Sequence, residues 1–146
     1  MKTTIRRSRS DEGDLLIDIW RRSVDATHDF LRAEDRAAIE QQVREFLPLA
    51  PLWVAVDGDD KPSAFMLLSD RHLEALFVDP AARGQGVGKA LVLYALTLIP
   101  ELTTDVNEQN AQAVGFYQKM GFVINGRSET DDCGRPYPLL HLRYRP

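Results

Sequence analysis

The stretch from Leu73 to Leu98 constrains this chain more than any other. It reads Leu-Glu-Ala-Leu-Phe-Val-Asp-Pro, then Ala-Ala-Arg-Gly-Gln-Gly-Val-Gly-Lys, then an apolar run from Ala90 to Leu98. The β-prone residues before Pro80 predict a strand over His72–Val78. The glycines predict a turn, and the apolar spacing after them predicts a helix over Val87–Leu98 that Pro100 ends. A glycine-rich turn at a helix N-terminus gathers free backbone N–H groups at the positive end of the helix dipole. Such a place attracts anions, phosphate above all.

Three glycine patterns compete for this turn. A P-loop needs Gly, four spacers, Gly-Lys and then Ser or Thr. Here Arg83 stands where the first glycine belongs, and Ala90 follows Lys89. The dinucleotide pattern G-x-G-x-x-G fails from Gly84, where Lys89 takes the third position, and from Gly86, where Leu91 does. A third pattern fits: Arg83, two residues, Gly86, one residue, Gly88, directly after Val78-Asp79-Pro80. This motif resembles the acetyl-coenzyme A signature of the GNAT superfamily of N-acetyltransferases. The resemblance implies that Arg83, Gly84, Gln85, Gly86, Val87, Gly88 and Lys89 cradle the coenzyme pyrophosphate. Without a ligand, the same residues would make a plain strand-to-helix turn.

A second motif resembles the family's other signature. Asn110, Ala113, Phe116-Tyr117 and Gly121-Phe122 follow in order about thirty residues downstream. Asn110 and Tyr117 are seven apart, two helical turns, which predicts one shared helix face. The resemblance implies that Asn110 contacts the pantetheine arm and that Tyr117 protonates the departing coenzyme thiolate. It also implies that the strand before the cradle splays from its neighbour, so that backbone groups of Leu76, Phe77 and Val78 bond the arm. A blander reading makes Tyr117 a core aromatic beside Phe116, Met120 and Phe122.

The acceptor amine must be neutral to attack a thioester. Candidate bases are Asp105, Glu74, His72, His28 and Asp29. Asp105 and Glu74 are favoured, acting through water, and a reaction with no dedicated base is a third possibility. On a strand, His72 and Glu74 share one face and Leu73 and Ala75 the other. His28 and Phe30 lie between the first two helices, where the family has the rim of its acceptor pocket. Tyr137 and the Asp131–Gly134 turn are candidates for the opposite rim.

The rest of the chain supplies a frame. A first strand is expected over Thr3–Ser8. A helix capped by Ser10 carries Leu16, Ile19, Trp20, Ser23 and Val24 on one face and ends near Asp25 or Ala26. A second helix runs from Glu34 to Phe46, with Ile39, Val43, Phe46 and Leu47 as its apolar stripe. Leu52–Val56 and Pro62–Leu68 flank the turn Asp57-Gly58-Asp59-Asp60 and predict a hairpin. Strands are also expected at Leu102–Val106, Phe122–Arg127 and Pro138–Tyr144, with a helix from Ala111 to Met120 and Gly121 as its C-cap. Val87, Leu91, Tyr94, Ala95 and Leu98 should face inward from the cradle helix. Hairpins first and a strand–helix–strand–helix–strand tail predict an α/β protein: a mixed, partly antiparallel and partly parallel sheet of about seven strands with four helices. The GNAT fold has that element order, and it covers nearly the whole chain.

Composition sets outer bounds. The 146 residues suit a single N-acetyltransferase domain spanning 1–146. The net charge of −4, from 18 basic and 22 acidic residues, argues against nucleic acid as a partner. Met1–Arg9 is basic with no apolar run after it, and no stretch approaches membrane-spanning length, so a cytoplasmic location without membrane partners is expected. Cys133 is the one cysteine, which rules out an internal disulfide and reads as an incidental thiol. His28, His72 and His141 are far apart in sequence and show no ligand spacing, so no metal is expected.

The expected activity is acetyl transfer from acetyl-coenzyme A to a primary amine by direct attack, on a small molecule or a protein. A non-catalytic acyl-coenzyme A sensor is the alternative within the same binding chemistry. A nucleotide-binding protein using the loop for ATP is a third reading, against which the missing P-loop residues speak. The sequence sets neither the acceptor nor the oligomeric state.

Overall fold

The computed structural model describes residues 3–146. Seven strands take the order β1-β2-β3-β4-β5-β7-β6, with four helices between them. The strands are β1 (Thr4–Arg7), β2 (Trp53–Val56), β3 (Pro62–Ser69), β4 (His72–Val78), β5 (Thr103–Asn107), β6 (Phe122–Ser128) and β7 (Leu139–Tyr144). The helices are α1 (Gly13–Thr27), α2 (Ala33–Phe46), α3 (Val87–Leu98) and α4 (Ala111–Met120). The described residues divide into two compact units, one of residues 3–67 and 75–92, the other of 68–74 and 93–146.

In the first unit β1 pairs antiparallel with β2, and β2 with β3, as the hairpin signal at Asp57–Asp60 predicts. Its core joins Leu16, Ile19, Trp20 and Val24 of α1 to Leu47, Leu52, Val54, Val56 and Phe65. The apolar face read for α1 is the face that is buried. Ser10 does not cap that helix. A single 3₁₀ turn, Ser10–Glu12, comes first. There the Glu12 carboxylate accepts the Arg9 backbone N–H at 2.7 Å and pairs with Arg6, which also meets Asp60. Capping is thus done from inside the turn by a carboxylate held on an arginine. Phe46, expected in the stripe of α2, is 52% exposed because the helix ends there and Leu47 turns in instead.

In the second unit β5 pairs antiparallel with β7, and β7 with β6. The parallel β4–β5 ladder has two pairs among the described residues, His72↔Thr103 and Leu73↔Thr104. Along β5 burial alternates: Thr104 and Val106 are buried, while Thr103, Asp105 and Asn107 are half-buried. The two faces of this strand therefore differ in their access to water. Gly121 caps α4 with φ 110°, as expected of a left-handed C-cap. Leu98, expected inward on α3, is 50% exposed at the helix's last position, whereas Val92 is fully buried.

Candidate active site

The residues singled out by sequence fall into two groups, one in each unit. In the first unit β4 ends at Val78, and Asp79 fixes the turn that follows. The Asp79 N–H donates to Ser63 O at 2.8 Å, and its carboxylate accepts from Ala81 N at 3.1 Å. Arg22 on α1 holds the same carboxylate at 2.7 Å. That hydrogen bond, foremost, keeps Asp79 below the usual carboxylate range. The turn is thus built on a carboxylate that an arginine favours in its charged form.

Gly84 and Gly86 follow with φ of 79° and 76°. Two left-handed residues with one residue between them are the reason for glycine here, since a Cβ resists that conformation. A Cβ built on either would meet no atom within 4 Å, so this backbone faces open space. The Ala90 N–H donates to Gly86 O at 2.9 Å at the start of α3. By helix geometry the amides of Val87, Gly88 and Lys89 lie ahead of the first such bond and have no intrahelical acceptor. Arg83 and Lys89 are exposed beside them. An open backbone with orphan donors and two cations fits a pyrophosphate. Leu76, Phe77 and Val78, just upstream, are half-buried.

His28 closes α1, its N–H donating to Val24 O at 2.7 Å. Its ring lies 5.3 Å from that of Phe30, and Nδ1 is 2.7 Å from Thr27 Oγ1. Thr27 gives its own proton to Ser23 O, so Nδ1 is the protonated nitrogen and Nε2 keeps its lone pair. Burial pushes the imidazole below the ordinary histidine value, with Asp29 opposing, so the ring is neutral at pH 7.

In the second unit Asn110 is the N-cap of α4, its carbonyl oxygen accepting from Ala113 N at 3.2 Å. It stands at the end of the helix, and its amide nitrogen takes no part in the cap. Tyr117 is 6% exposed and meets Phe116 and Phe122 edge-on at 5.1 and 5.4 Å. The aromatic-core reading thus describes its ring. Burial pushes its phenol well above the ordinary tyrosine value, with the neighbouring Thr104 side chain opposing. Thr104 passes its own proton to Leu73 O at 3.0 Å.

Asp105 points to the opposite face of β5 and lies between two imidazoles. Oδ1 is 2.6 Å from His141 Nδ1, and Oδ2 is 3.4 Å from His72 Nε2. The outer nitrogen of each ring meets a hydroxyl: His141 Nε2 is 2.6 Å from Ser128, and His72 Nδ1 is 2.7 Å from Thr103. Histidines far apart in sequence are thus brought onto one carboxylate, because Asp105 and His141 are partners across the β5–β7 ladder. Glu74 is exposed on β4 and, unlike Asp105, is not enclosed. Sequence reading missed Thr103, Thr104, Ser128 and His141; only the hydroxyl pair beside Asp105 could have signalled them. Among the described residues no group of three or more His, Cys, Asp or Glu is arranged to hold a metal ion. Tyr137, expected on a rim, is buried at 4%, and Cys133 is exposed in its turn. Among the described residues no helix is long and apolar enough to cross a membrane.

Comparison with known proteins gives one answer. Residues 22–135 match the family described as Acetyltransferase (GNAT) domain. The chain is 65% identical over 144 residues to the peptidyl-lysine N-acetyltransferase YjaB of Salmonella typhimurium strain LT2, with 99% of each chain covered. The solution structure of apo YjaB from Escherichia coli matches with a TM-score of 0.95 at 64% identity, covering 99% of this chain and 98% of that one. A PaiA N-acetyltransferase from Thermoplasma acidophilum, in complex with coenzyme A, shares the fold: TM-score 0.77, 20% identity, all of both chains covered.

Proposed function

The chain belongs to the GNAT family of acetyltransferases, and we propose that the amine it acetylates is a lysine side chain in a peptide or protein. The observation that carries this reading is the 65% identity, across 99% of both chains, to a peptidyl-lysine N-acetyltransferase. Acetyl-coenzyme A is the proposed donor, in keeping with the family. The proposal treats residues 1–146 as one acetyltransferase domain, which a family match running through both units supports. A cytoplasmic location is part of the same reading.

The proposed division of labour follows the geometry. The amides of the Gly84–Lys89 turn, with Arg83 and Lys89, hold the pyrophosphate. Backbone groups of Leu76, Phe77 and Val78 and the Asn110 amide hold the pantetheine arm. His28 and Phe30 contribute to the acceptor site. Tyr117 is the general acid: a phenol kept protonated by burial is ready to donate to a thiolate at neutral pH. Asp105 or Glu74 serves as the base, and Asp105 is favoured because His141 fixes it. The amine attacks the thioester directly, and no enzyme-bound acyl group is involved.

The test is mass spectrometry of a lysine peptide with a blocked N-terminus, incubated with enzyme and acetyl-coenzyme A. The expected product carries one acetyl group on the lysine. Acetylation of a free N-terminus or a small polyamine, with the blocked lysine peptide untouched, refutes the assignment.

A further inference from the structure

We propose that His72 receives the proton removed from the acceptor amine, with Asp105 as its counter-ion and Thr103, His141 and Ser128 as positioning residues. The proposal rests on the lysine-acetyltransfer reading and refines its base: Asp105 acts through His72 and does not take the proton itself. It follows from counting hydrogens around one carboxylate. Thr103 Oγ1 donates its single proton to Arg71 O at 3.3 Å. With its proton so placed Thr103 accepts from His72, and the proposal accordingly assigns the ring hydrogen to Nδ1. In the neutral ring Nε2 then holds a lone pair, aimed at Asp105 Oδ2 across 3.4 Å. Two lone pairs face each other over a gap longer than a charge-assisted bond. One added proton turns this standoff into an N–H···O⁻ pair.

His141 is in the opposite condition. Its Nδ1 lies 2.6 Å from Asp105 Oδ1 and must donate there. Its Nε2 lies 2.6 Å from Ser128 Oγ, a hydroxyl with a proton to give. The neutral ring is fully satisfied. Its place is fixed further by Gly126, at the irregularity in β6, where a Cβ would stand 3.3 Å from the ring's Cδ2. Of the three titratable groups, His72 is the one that gains a bond by taking a proton without another being lost. The other charges nearby do not supply that bond. Glu74, on the same face of β4, is exposed, and Arg143, cross-strand from Thr103 on β7, is exposed too. Arg71 pairs with Glu101.

The His72 side chain is 25% exposed and that of Asp105 27%, so a proton placed between them can leave to water. The balance closes as follows. One ammonium N–H breaks and His72 Nε2–H forms. The freed amine makes the N–C bond as the C–S bond breaks. Tyr117 gives its proton to the sulfur, and the second nitrogen proton, lost as the amide forms, replaces it. His72 then returns its proton to solvent.

Two measurements decide the matter. The first is long-range ¹H–¹⁵N correlation of the imidazoles in the full-length, ligand-free protein from pH 5 to 8. Neutral His72 should be the Nδ1–H tautomer, with Nε2 unprotonated, and neutral His141 should be the Nδ1–H tautomer as well. An Nε2–H tautomer at neutral His72 overturns the proposal. The second is kcat/KM of His72→Gln with the lysine peptide from pH 7 to 10. Losing a proton acceptor should lower it about 10²-fold at pH 7. The deficit should shrink towards pH 10, where free lysine deprotonates unaided at about 10.4. A deficit constant with pH marks a merely structural role and also overturns the proposal. If the intact enzyme does not acetylate the peptide, the substrate reading fails, and the spectroscopic result still judges His72.

Discussion

Tyr117→Phe is the most informative single substitution, because the structure separates its two effects. The ring stays. It is 6% exposed and packed edge-on against Phe116 and Phe122, and phenylalanine makes the same contacts. The loss is one buried hydroxyl and its polar interaction with Thr104. A buried polar interaction of this kind contributes about 1 kcal/mol. For a chain of 146 residues that lowers Tm by about 3 °C, given roughly 2 cal/mol/K of unfolding entropy per residue. The catalytic effect should be far larger: a general acid contributes about 10²–10⁴-fold, so kcat should fall at least 10²-fold. Acetyl-coenzyme A should bind the variant within about threefold of the intact protein, since binding is assigned to the cradle. Because burial raises the phenol's pKa, the protonated form persists above neutrality. Wild-type kcat should then show no decline from loss of this acid between pH 7 and 10. The assay is stopped-flow detection of free thiol alongside calorimetric titration of the coenzyme. Retained kcat in a folded variant, or a loss of coenzyme binding as large as the loss of kcat, would refute the assignment.

Four further outcomes are expected. Gly86→Glu should abolish calorimetric binding of acetyl-coenzyme A at millimolar ligand while the protein stays folded, because the new side chain meets no atom within 4 Å and only the positive φ strains it. Glu12→Gln should destabilise by about 1–3 kcal/mol at pH 7 in urea melts, since it breaks the paired contact with Arg6 and the bond from Arg9 N. Chiefly through Arg6, the folded protein holds Glu12 below its ordinary 4.5; this contribution is complete above pH 4.5 and lost as pH falls through the lower folded value, so the two melts should converge in acid. Cys133→Ser, at an exposed unpaired thiol, should leave kcat/KM within twofold. Thr103→Val and Thr104→Val should differ in kind: the first removes the acceptor at His72 and should give a deficit that narrows at high pH, whereas the second strands the Tyr117 hydroxyl and should give one independent of pH.

The parts of this fold that were legible in the sequence are those decided within a few residues. Strand β4 and helices α3 and α4 fall where expected, because Gly84, Gly86, Asn110 and Gly121 act on their own backbone. The glycine turn was readable for the same reason: its conformation is a property of consecutive residues. Ser10 misled because the true cap is Glu12, whose carboxylate is fixed by Arg6 on β1, an arginine held in turn by Asp60 at the hairpin turn far along the chain. Leu98 and Phe46 misled because helical periodicity says which face turns inward but not where the partner surface ends. The Asp105 cluster was illegible for a stricter reason. His141 meets Asp105 only in one register of β5 on β7, and a shift of one residue would turn it to the other face.

That register also bears on how one strand would serve the two proton transfers proposed above. Thr104 and Asp105 are neighbours in the chain and face opposite ways from β5. On the Thr104 side everything is buried, and a phenol there holds its proton. On the Asp105 side the groups are about a quarter to a third exposed, and a proton can pass to water. Amide formation needs both conditions at once: a donor that does not ionise before the sulfur leaves, and an acceptor that empties after each turnover. A single shared environment would bring acid and base towards the same proton affinity and weaken one of them. Alternation along β5 keeps the two environments apart while their backbones remain adjacent residues.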